Sequence, residues 1–167
     1  MWSTSYVVPG GTTVSHPDFR IGGIFTIGEL YWLTKVRYTG HGFTIKLSTC
    51  KTSIVGVRVK NVAHSNARAT HRFHVSGVLN DSGPWEQLLE GEFENPLLDG
   101  APAPTVQTFY FKEAVELQFL RFDIESLWET LGGGLDYFAV ITVAGNPCGI
   151  FYILMYLYVP NRFVPIE

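Results

Sequence analysis

Strict alternation of apolar and polar side chains is the feature of this sequence that most restricts its fold. Phe43, Ile45 and Leu47 are apolar, whereas Thr44 and Lys46 between them are polar. Successive side chains of a β-strand point to opposite faces of a sheet, so this pattern predicts an antiparallel strand with one buried and one solvated face. A helical period of 3.6 residues does not fit it.

The same pattern recurs along the chain. Further strands are predicted at residues 54–60, 71–79, 107–112 and 115–125. Inward-facing positions in two of them are Val55, Val57 and Val59, and Phe73, Val75 and Leu79. Turn signals recur about every 8–12 residues, and no helix of ordinary length is expected. The prediction is an all-β fold, an antiparallel jelly-roll β-sandwich of about eight strands.

One of these strands carries an internal change of face. Apolar residues occupy odd positions up to Phe119 and even positions from Leu120 onward. A strand accommodates such a slip only through a bulge or a break, because a shift of one residue reverses every side chain. We therefore predict a bulge or break between Phe119 and Leu120.

Composition limits the classes of function. The chain has 167 residues, 46% of them hydrophobic and 16% charged, which suits a single domain with one core. Its formal net charge is -3 and its pI about 5.9, so it has no basic field to attract nucleic acid. Nucleic-acid binding is not expected.

The two ends of the chain differ from its middle. Residues 1–23 are rich in Ser, Thr, Gly and Pro and predict a loosely ordered lead-in without the features of a signal peptide. Residues 143–167 form a hydrophobic extension. Its apolar run at 150–159 is shorter than the roughly 20 residues that cross a bilayer, so no transmembrane segment is expected. The extension is either an added strand or a non-native, aggregation-prone end.

The middle of the chain resembles a known family. The segment THRFHVSGVLNDSGPWEQLLEGEFE, followed after a Pro-rich loop by TFYFKEAVELQFLRFDIESLWETLGGGLDYFAV, occupies residues 70–140. With YWLT at 31–34, GFTIKLSTC at 42–50 and IVGVRVKN at 54–61, this ordered set resembles the coagulation factor V/VIII type C, or discoidin-like, domains of the galactose-binding-like superfamily. The resemblance covers residues 24–142.

The resemblance implies a non-catalytic binding module that recognises carbohydrate or an extracellular glycoprotein through loops at one end of the sandwich. It also implies an extracellular location, with the chain as part of a longer precursor. The alternative is a protein–protein interaction, extracellular-matrix or cell-adhesion module that does not bind sugar. Binding to a membrane surface, as in the clotting-factor relatives, ranks behind both because the loops here are polar.

Two properties of the family do not transfer to this sequence. Many relatives have a structural calcium beside an Asp-Gly turn, but Gly28-Glu29-Leu30 stands in that place, so the sequence does not support calcium and no cofactor is expected. Relatives often have a terminal cysteine pair. Here Cys50 and Cys148 can form at most one disulfide, and they do not identify the redox compartment.

Candidate ligand contacts lie in two loops. They are Asn61, His64, Asn66 and Arg68 in residues 61–70, and Trp128 and Glu129 before the glycine run 132–134. An exposed Trp gives a sugar ring an apolar platform, while His, Arg and carboxylate groups bond its hydroxyls. The alternatives are that the polar loop is merely solvated and that Trp128 plugs the base of the sandwich. The glycine run predicts a tight reversal with positive φ.

Other groups of polar residues do not predict a metal site or a catalytic site. His71 and His74 are three residues apart on a predicted strand and should face opposite ways, so no metal site is predicted. A solvated strand face is the simplest explanation of the carboxylates Glu86, Glu90, Glu92 and Glu94. The sequence also has no nucleophile motif, so no catalysis is expected. Asn80 begins an Asn-Asp-Ser sequon at a predicted turn, which is glycosylated only if the chain is secreted.

Overall fold

The computed structural model describes residues 6–8, 12–14, 32–33, 42–47, 52–62, 69–80, 83–128, 132–143, 154–159 and 162–165. The strands within them are β1 (Tyr6–Val8), β2 (Thr12–Val14), β3 (Trp32–Leu33), β4 (Gly42–Lys46), β5 (Thr52–Asn61), β6 (Thr70–Val78), β7 (Glu86–Glu92), β8 (Gln107–Leu117), β9 (Phe119–Leu127), β10 (Gly134–Thr142), β11 (Leu154–Val159) and β12 (Arg162–Pro165). No helix occurs among these residues, and hence none long and apolar enough to cross a membrane.

The strands form two main antiparallel sheets. One has four strands in the order β3-β10-β5-β8, and the other has six in the order β12-β11-β4-β9-β6-β7. Eight strands, β3 to β10, lie within residues 24–142, where the sequence predicted about eight. The predicted all-β antiparallel sandwich is confirmed.

A cluster of phenylalanine rings fills the space between the two sheets. Phe122 of β9 stacks on Phe73 of β6 and Phe43 of β4, with ring centroids 5.0 and 5.4 Å apart. Phe138 of β10 meets the Phe43 ring edge-on at 5.1 Å from the opposite sheet. All four side chains have no solvent exposure. Aromatic packing between the sheets, together with aliphatic burial, therefore fixes their separation.

The predicted change of face is where the chain passes from one sheet to the other. β8 belongs to the four-stranded sheet and β9 to the six-stranded sheet, and they are separated by Gln118. The Gln118 backbone donates to the Val78 carbonyl at 3.2 Å and accepts from the Leu47 amide at 2.8 Å. The break is thus confirmed, but it lies one residue earlier than predicted because these backbone bonds fix it at Gln118.

Three predicted side-chain placements are wrong. Thr44 is fully buried although it lies on the predicted solvated face of β4. In β5 a register shift between Ile54 and Gly56 makes Ile54 the fully buried residue, and Val55 is only half-buried. Leu79 is 38% exposed because β6 ends at Val78. The differences at Val55 and Leu79 arise from a bulge and a strand end, which reverse or terminate the alternation. The pairing of β4 with β9 and β11 has no register shift, so no bulge accounts for the burial of Thr44.

The ends of the chain contribute strands. β1 and β2 pair as an antiparallel hairpin within the residues expected to be loosely ordered. β11 pairs with β4, and β12 pairs with β11, so residues of the C-terminal extension add two strands to the six-stranded sheet. Domain boundaries at residues 24 and 142 stay a prediction. Cys50 and Cys148 lie outside the described residues.

Candidate functional site

Asn61 closes the base of the first candidate loop. Its Nδ2 donates to the Thr70 carbonyl at 2.8 Å, and its Oδ1 accepts from the Thr70 amide at 3.1 Å. The loop leaves at the end of β5 and returns at the start of β6, so this clamp joins its two stems. Asn61 is 2% exposed with both ends of its amide engaged. Asn61 therefore supports the loop from beneath, and its contact with a ligand stays a prediction.

Thr70 also holds the glycine run. Its hydroxyl donates to the Gly134 carbonyl and accepts from the Gly134 amide, both at 3.0 Å. Gly132 has φ 121°, which confirms the predicted positive φ. A Cβ on Gly133 would lie 2.7 Å from the Thr70 hydroxyl oxygen, so the close approach depends on a missing side chain. The two candidate loops therefore meet at one end of the sandwich.

Trp128 lies at the junction of three loops. Its backbone amide donates to the Ala69 carbonyl at 3.1 Å, which joins it to the first loop. Its indole Nε1 donates to the Phe93 carbonyl, also at 3.1 Å, and Phe93 begins the long connection 93–106 between β7 and β8. The half-buried indole packs on the His71 ring, with centroids 3.8 Å apart. Trp128 is thus rigidly held and partly accessible.

A charged group is joined to this tryptophan through His71, whose ring packs on the indole and contacts Glu92. Glu92 accepts from Arg72 Nε at 3.1 Å and contacts His71 Nε2 at 3.0 Å. Hydrogen bonding to His71, and then to Arg72, lowers the pKa of the Glu92 carboxyl below its ordinary value. This end therefore combines an aromatic surface with an ionised carboxylate and nitrogen donors.

A small cavity of about 110 Å³ adjoins the same end. Asn61 and Phe93 line it on one side, and Pro102, Pro104 and Thr105 of the long connection line it on the other. Its volume is below the roughly 300–1,000 Å³ of sites that enclose a drug-sized ligand. Among the described residues, this end thus offers a shallow surface with a small recess.

The sequence located part of this site. Asn61 and Trp128 lie at the same end of the sandwich, where they bond to the adjacent residues Thr70 and Ala69. His64, Asn66, Arg68 and Glu129 lie outside the described residues. The contributions of His71, Glu92 and Thr70 were missed. Arg72 lies opposite Glu92 in the β6–β7 pairing, and this register is known from the structure and not from the sequence.

The histidines at positions 71 and 74 have different partners. His71 contacts Glu92, whereas His74 Nε2 lies 3.4 Å from the Asp123 carboxylate, which also contacts Arg121. Across the described residues, no group of three or more His, Cys, Asp or Glu side chains is arranged to hold a metal ion.

The predicted glycosylation sequon lies at the opposite end of β6 from Thr70. Asn80 is exposed in the turn after this strand, and its carbonyl accepts from the Gly83 amide at 3.2 Å. A strand of this length separates the two ends by about 26 Å. A glycan on Asn80 would therefore lie far from Trp128.

Comparisons with solved structures establish the fold. An F5/8 type C domain from Bacteroides fragilis matches with a TM-score of 0.54 at 12% identity, over 74% of this chain and 81% of that one. A GH29 fucosidase from Ruminococcus gnavus, solved in complex with fucose, matches with a TM-score of 0.58 at 15% identity. That match covers 76% of this chain but only 23% of the fucosidase.

No protein-family model matches the chain, and no curated protein matches it in sequence. At these identities the structural matches define the fold alone. The chain has the galactose-binding-like β-sandwich fold of F5/8 type C domains, as its sequence predicted.

Proposed function

We propose that this chain is a non-catalytic, extracellular module that binds carbohydrate at the end of the sandwich where loops 61–70, 93–106 and 126–134 meet. The observation that carries the proposal is the placement of Trp128. Hydrogen bonds fix it to Ala69 and Phe93, so a partly exposed indole stands where all three loops converge. Binding surfaces are commonly built this way, from loops on a rigid sandwich.

The chemistry around Trp128 suits a sugar. An aromatic face packs against the C–H groups of a pyranose ring, while carboxylate oxygens accept hydrogen bonds from its hydroxyls. Trp128 supplies the aromatic surface, and Glu92, with His71 and Arg72, supplies acceptors and donors beside it. The shallow recess favours a terminal sugar on a longer glycan over an enclosed molecule.

His64, Asn66, Arg68 and Glu129 remain proposed contacts. In the sequence they fall between Val62 and Ala69 and between Trp128 and Gly132. Ala69, whose carbonyl accepts from the Trp128 amide, and Trp128 itself flank these two intervals. Asn61 is proposed to support the first loop from below. Substitution of Asn61 is expected to lower ligand affinity by loosening the loop, and not by removing a direct contact with the ligand.

Two further considerations support a binding role. A general acid for glycoside cleavage needs a raised pKa, and the lowered pKa of Glu92 does not fit that one role. A carbohydrate-active enzyme, the fucosidase solved with fucose, also contains a region of this fold. The partner is accordingly proposed to be a carbohydrate or a glycoprotein that displays it.

A glycan array probed with the full chain tests the proposal. It should include fucosylated and galactosylated glycans and be run with calcium and with chelator. We expect selective binding of one sugar class. Because no calcium role is proposed, the binding with calcium and the binding with chelator should be equal. A blank array from folded protein would contradict sugar recognition and favour the protein-interaction or matrix-adhesion alternative.

A further inference from the structure

A groove runs along the side of the sandwich, away from the loops around Trp128. It has a volume of about 620 Å³ and lies between β7 and β8. These are the end strands of the six-stranded and four-stranded sheets. The volume is typical of a site that accepts part of a ligand chain.

Each of the two strands that border the groove ends a sheet, as far as the described residues show. Within the described part of the chain, β7 pairs only with β6 and β8 only with β5. The N–H and C=O groups on the groove side of such end strands are a template for another extended chain. Addition of a peptide strand to a sheet edge is an established mode of peptide recognition.

The floor of the groove is apolar. Leu88 and Leu89 of β7 and Val115 of β8 are partly buried and pack on the core, and Phe111 is 8% exposed. A register shift in the β6–β7 pairing places Gln87 and Leu89 opposite adjacent residues of β6, so Leu88 is the extra residue of a bulge. This bulge lets two consecutive leucines reach the groove, which favours apolar side chains on the ligand.

The rim of the groove is acidic. Glu86 and Glu90 of β7 and Glu113 of β8 are exposed there, against a single basic side chain, Lys112, in the described lining. Tyr110 on the same rim is 67% exposed and offers a ring face to a cation. The charge distribution therefore complements a basic partner. A second copy of β7 would bring carboxylates against carboxylates, which disfavours self-pairing.

We propose that this side groove binds an extended segment of a partner protein in which apolar residues alternate with Lys or Arg. Side chains of an extended chain alternate between two faces, so the apolar ones enter the floor while the basic ones reach Glu86, Glu90 and Glu113. The backbone adds to a sheet edge as a further strand. This protein-binding site is separate from the proposed sugar site and does not depend on it.

The test uses a fluorescein-labelled heptapeptide of four lysines alternating with three valines, titrated with the full chain by fluorescence anisotropy. The control peptide has the same composition in block order, with all lysines before all valines. We expect the alternating peptide to bind roughly ten times more tightly, because only it separates charge and apolar groups onto opposite faces. Equal binding of both peptides, or binding of neither, overturns the proposal.

Matched variants locate the contact. E86K/E90K reverses the charge of the groove and should weaken peptide binding by about tenfold or more. E125K reverses an exposed glutamate on β9 that does not line the groove, and it should change affinity by less than about twofold. Circular dichroism confirms that both variants are folded. Similar losses in the two variants would indicate nonspecific charge attraction and overturn the proposal.

Discussion

Thr70 and Gly134, which are 64 residues apart in the sequence, exchange two hydrogen bonds through one threonine hydroxyl. The hydroxyl oxygen accepts from the Gly134 amide, and its proton goes to the Gly134 carbonyl. Thr70 is fully buried, so water cannot replace either bond. One side chain thus holds the stem of the first candidate loop against the glycine run that follows Trp128.

Replacing Thr70 with Val should destabilise the protein. Valine has nearly the same shape but leaves the buried Gly134 groups without these partners, so the free energy of unfolding should fall by about 1–3 kcal/mol, measured by urea denaturation. Thr70→Ser keeps the hydroxyl and should recover most of the loss. Thr108→Val, at an exposed position of β8, is the control and should change stability by less than about 0.5 kcal/mol. A T70V protein as stable as wild type would contradict the role of this contact.

Replacing Trp128 with Ala should abolish glycan binding while the sandwich stays folded. The ring provides the stacking surface, but it is only half-buried and lies at the end of the sheet. Trp128→Phe keeps an aromatic face and loses the bond to the Phe93 carbonyl, so it should bind more weakly without losing binding entirely. Affinity is measured by calorimetry with the glycan selected on the array.

Trp85→Ala is the matched control for this series. Trp85 is also partly buried, but it packs beside Arg121, with the guanidinium carbon 5.5 Å from its ring centroid, near the start of β9, whereas Trp128 follows the end of that strand. Its substitution should leave glycan affinity unchanged. If W128A is unfolded by circular dichroism, Trp128 is instead a residue of the hydrophobic core. If W128A binds the glycan as tightly as wild type, Trp128 is not part of the binding site.

The bonds to Glu92 should add stability that depends on pH. Its pKa is lowered in the folded state, so its contribution is complete above the ordinary glutamate pKa of about 4.3 and is lost as the pH falls through the lower folded value. Glu92→Gln should therefore cost stability at neutral pH, and the difference from wild type should shrink on acidification below about pH 4. Because Glu92 is exposed, the effect is expected to be small.

Urea midpoints measured across this pH range check the prediction. His71 is the main cause of the shift, so the E92Q change should have a smaller effect in a His71→Gln background than in wild type. A wild-type advantage that persists unchanged at low pH, or an undiminished effect in that background, would contradict the assignment.

Removing the central core ring should be costly. Phe122 has no exposure and contacts the rings of Phe43, Phe73 and Phe138, so Phe122→Ala should lower the free energy of unfolding by about 3–5 kcal/mol. Leu98→Ala, at a side chain that is 63% exposed, should change it by less than about 0.5 kcal/mol. Denaturation curves of the two variants that coincide would contradict this description of the core.

The sheet architecture could be predicted because its main signal is local. The alternation at Phe43, Ile45 and Leu47 is visible in the sequence alone, and so is a change of face, which the sequence put between Phe119 and Leu120. The exact positions of the strand break and of the inward-facing side chains depend on residues that are distant in the sequence. Val78 and Leu47 fix the break at Gln118 through backbone bonds, and bulges decide whether Ile54 or Val55 turns inward.

The candidate site was less predictable because it is built by contacts between residues that are distant in the sequence. Trp128 was selected as a candidate by residue type, but its bonds go to the backbone of Ala69 and Phe93, which leaves no signature in the sequence. Asn61 was selected as a polar loop residue. Its burial follows from the return of the chain at Thr70, and a local pattern does not distinguish a clamp from a surface contact.

The most direct test of the account is an NMR titration of the ¹⁵N-labelled full chain with the array-selected glycan. The chain has four tryptophans, and the Trp128 indole signal is assigned by its disappearance in W128F. We predict that this signal and the amides of Gly133 and Gly134 shift on binding, while the Trp85 indole does not. Shifts confined to other regions, or the absence of any shift, would contradict sugar recognition at the Trp128 end of the sandwich.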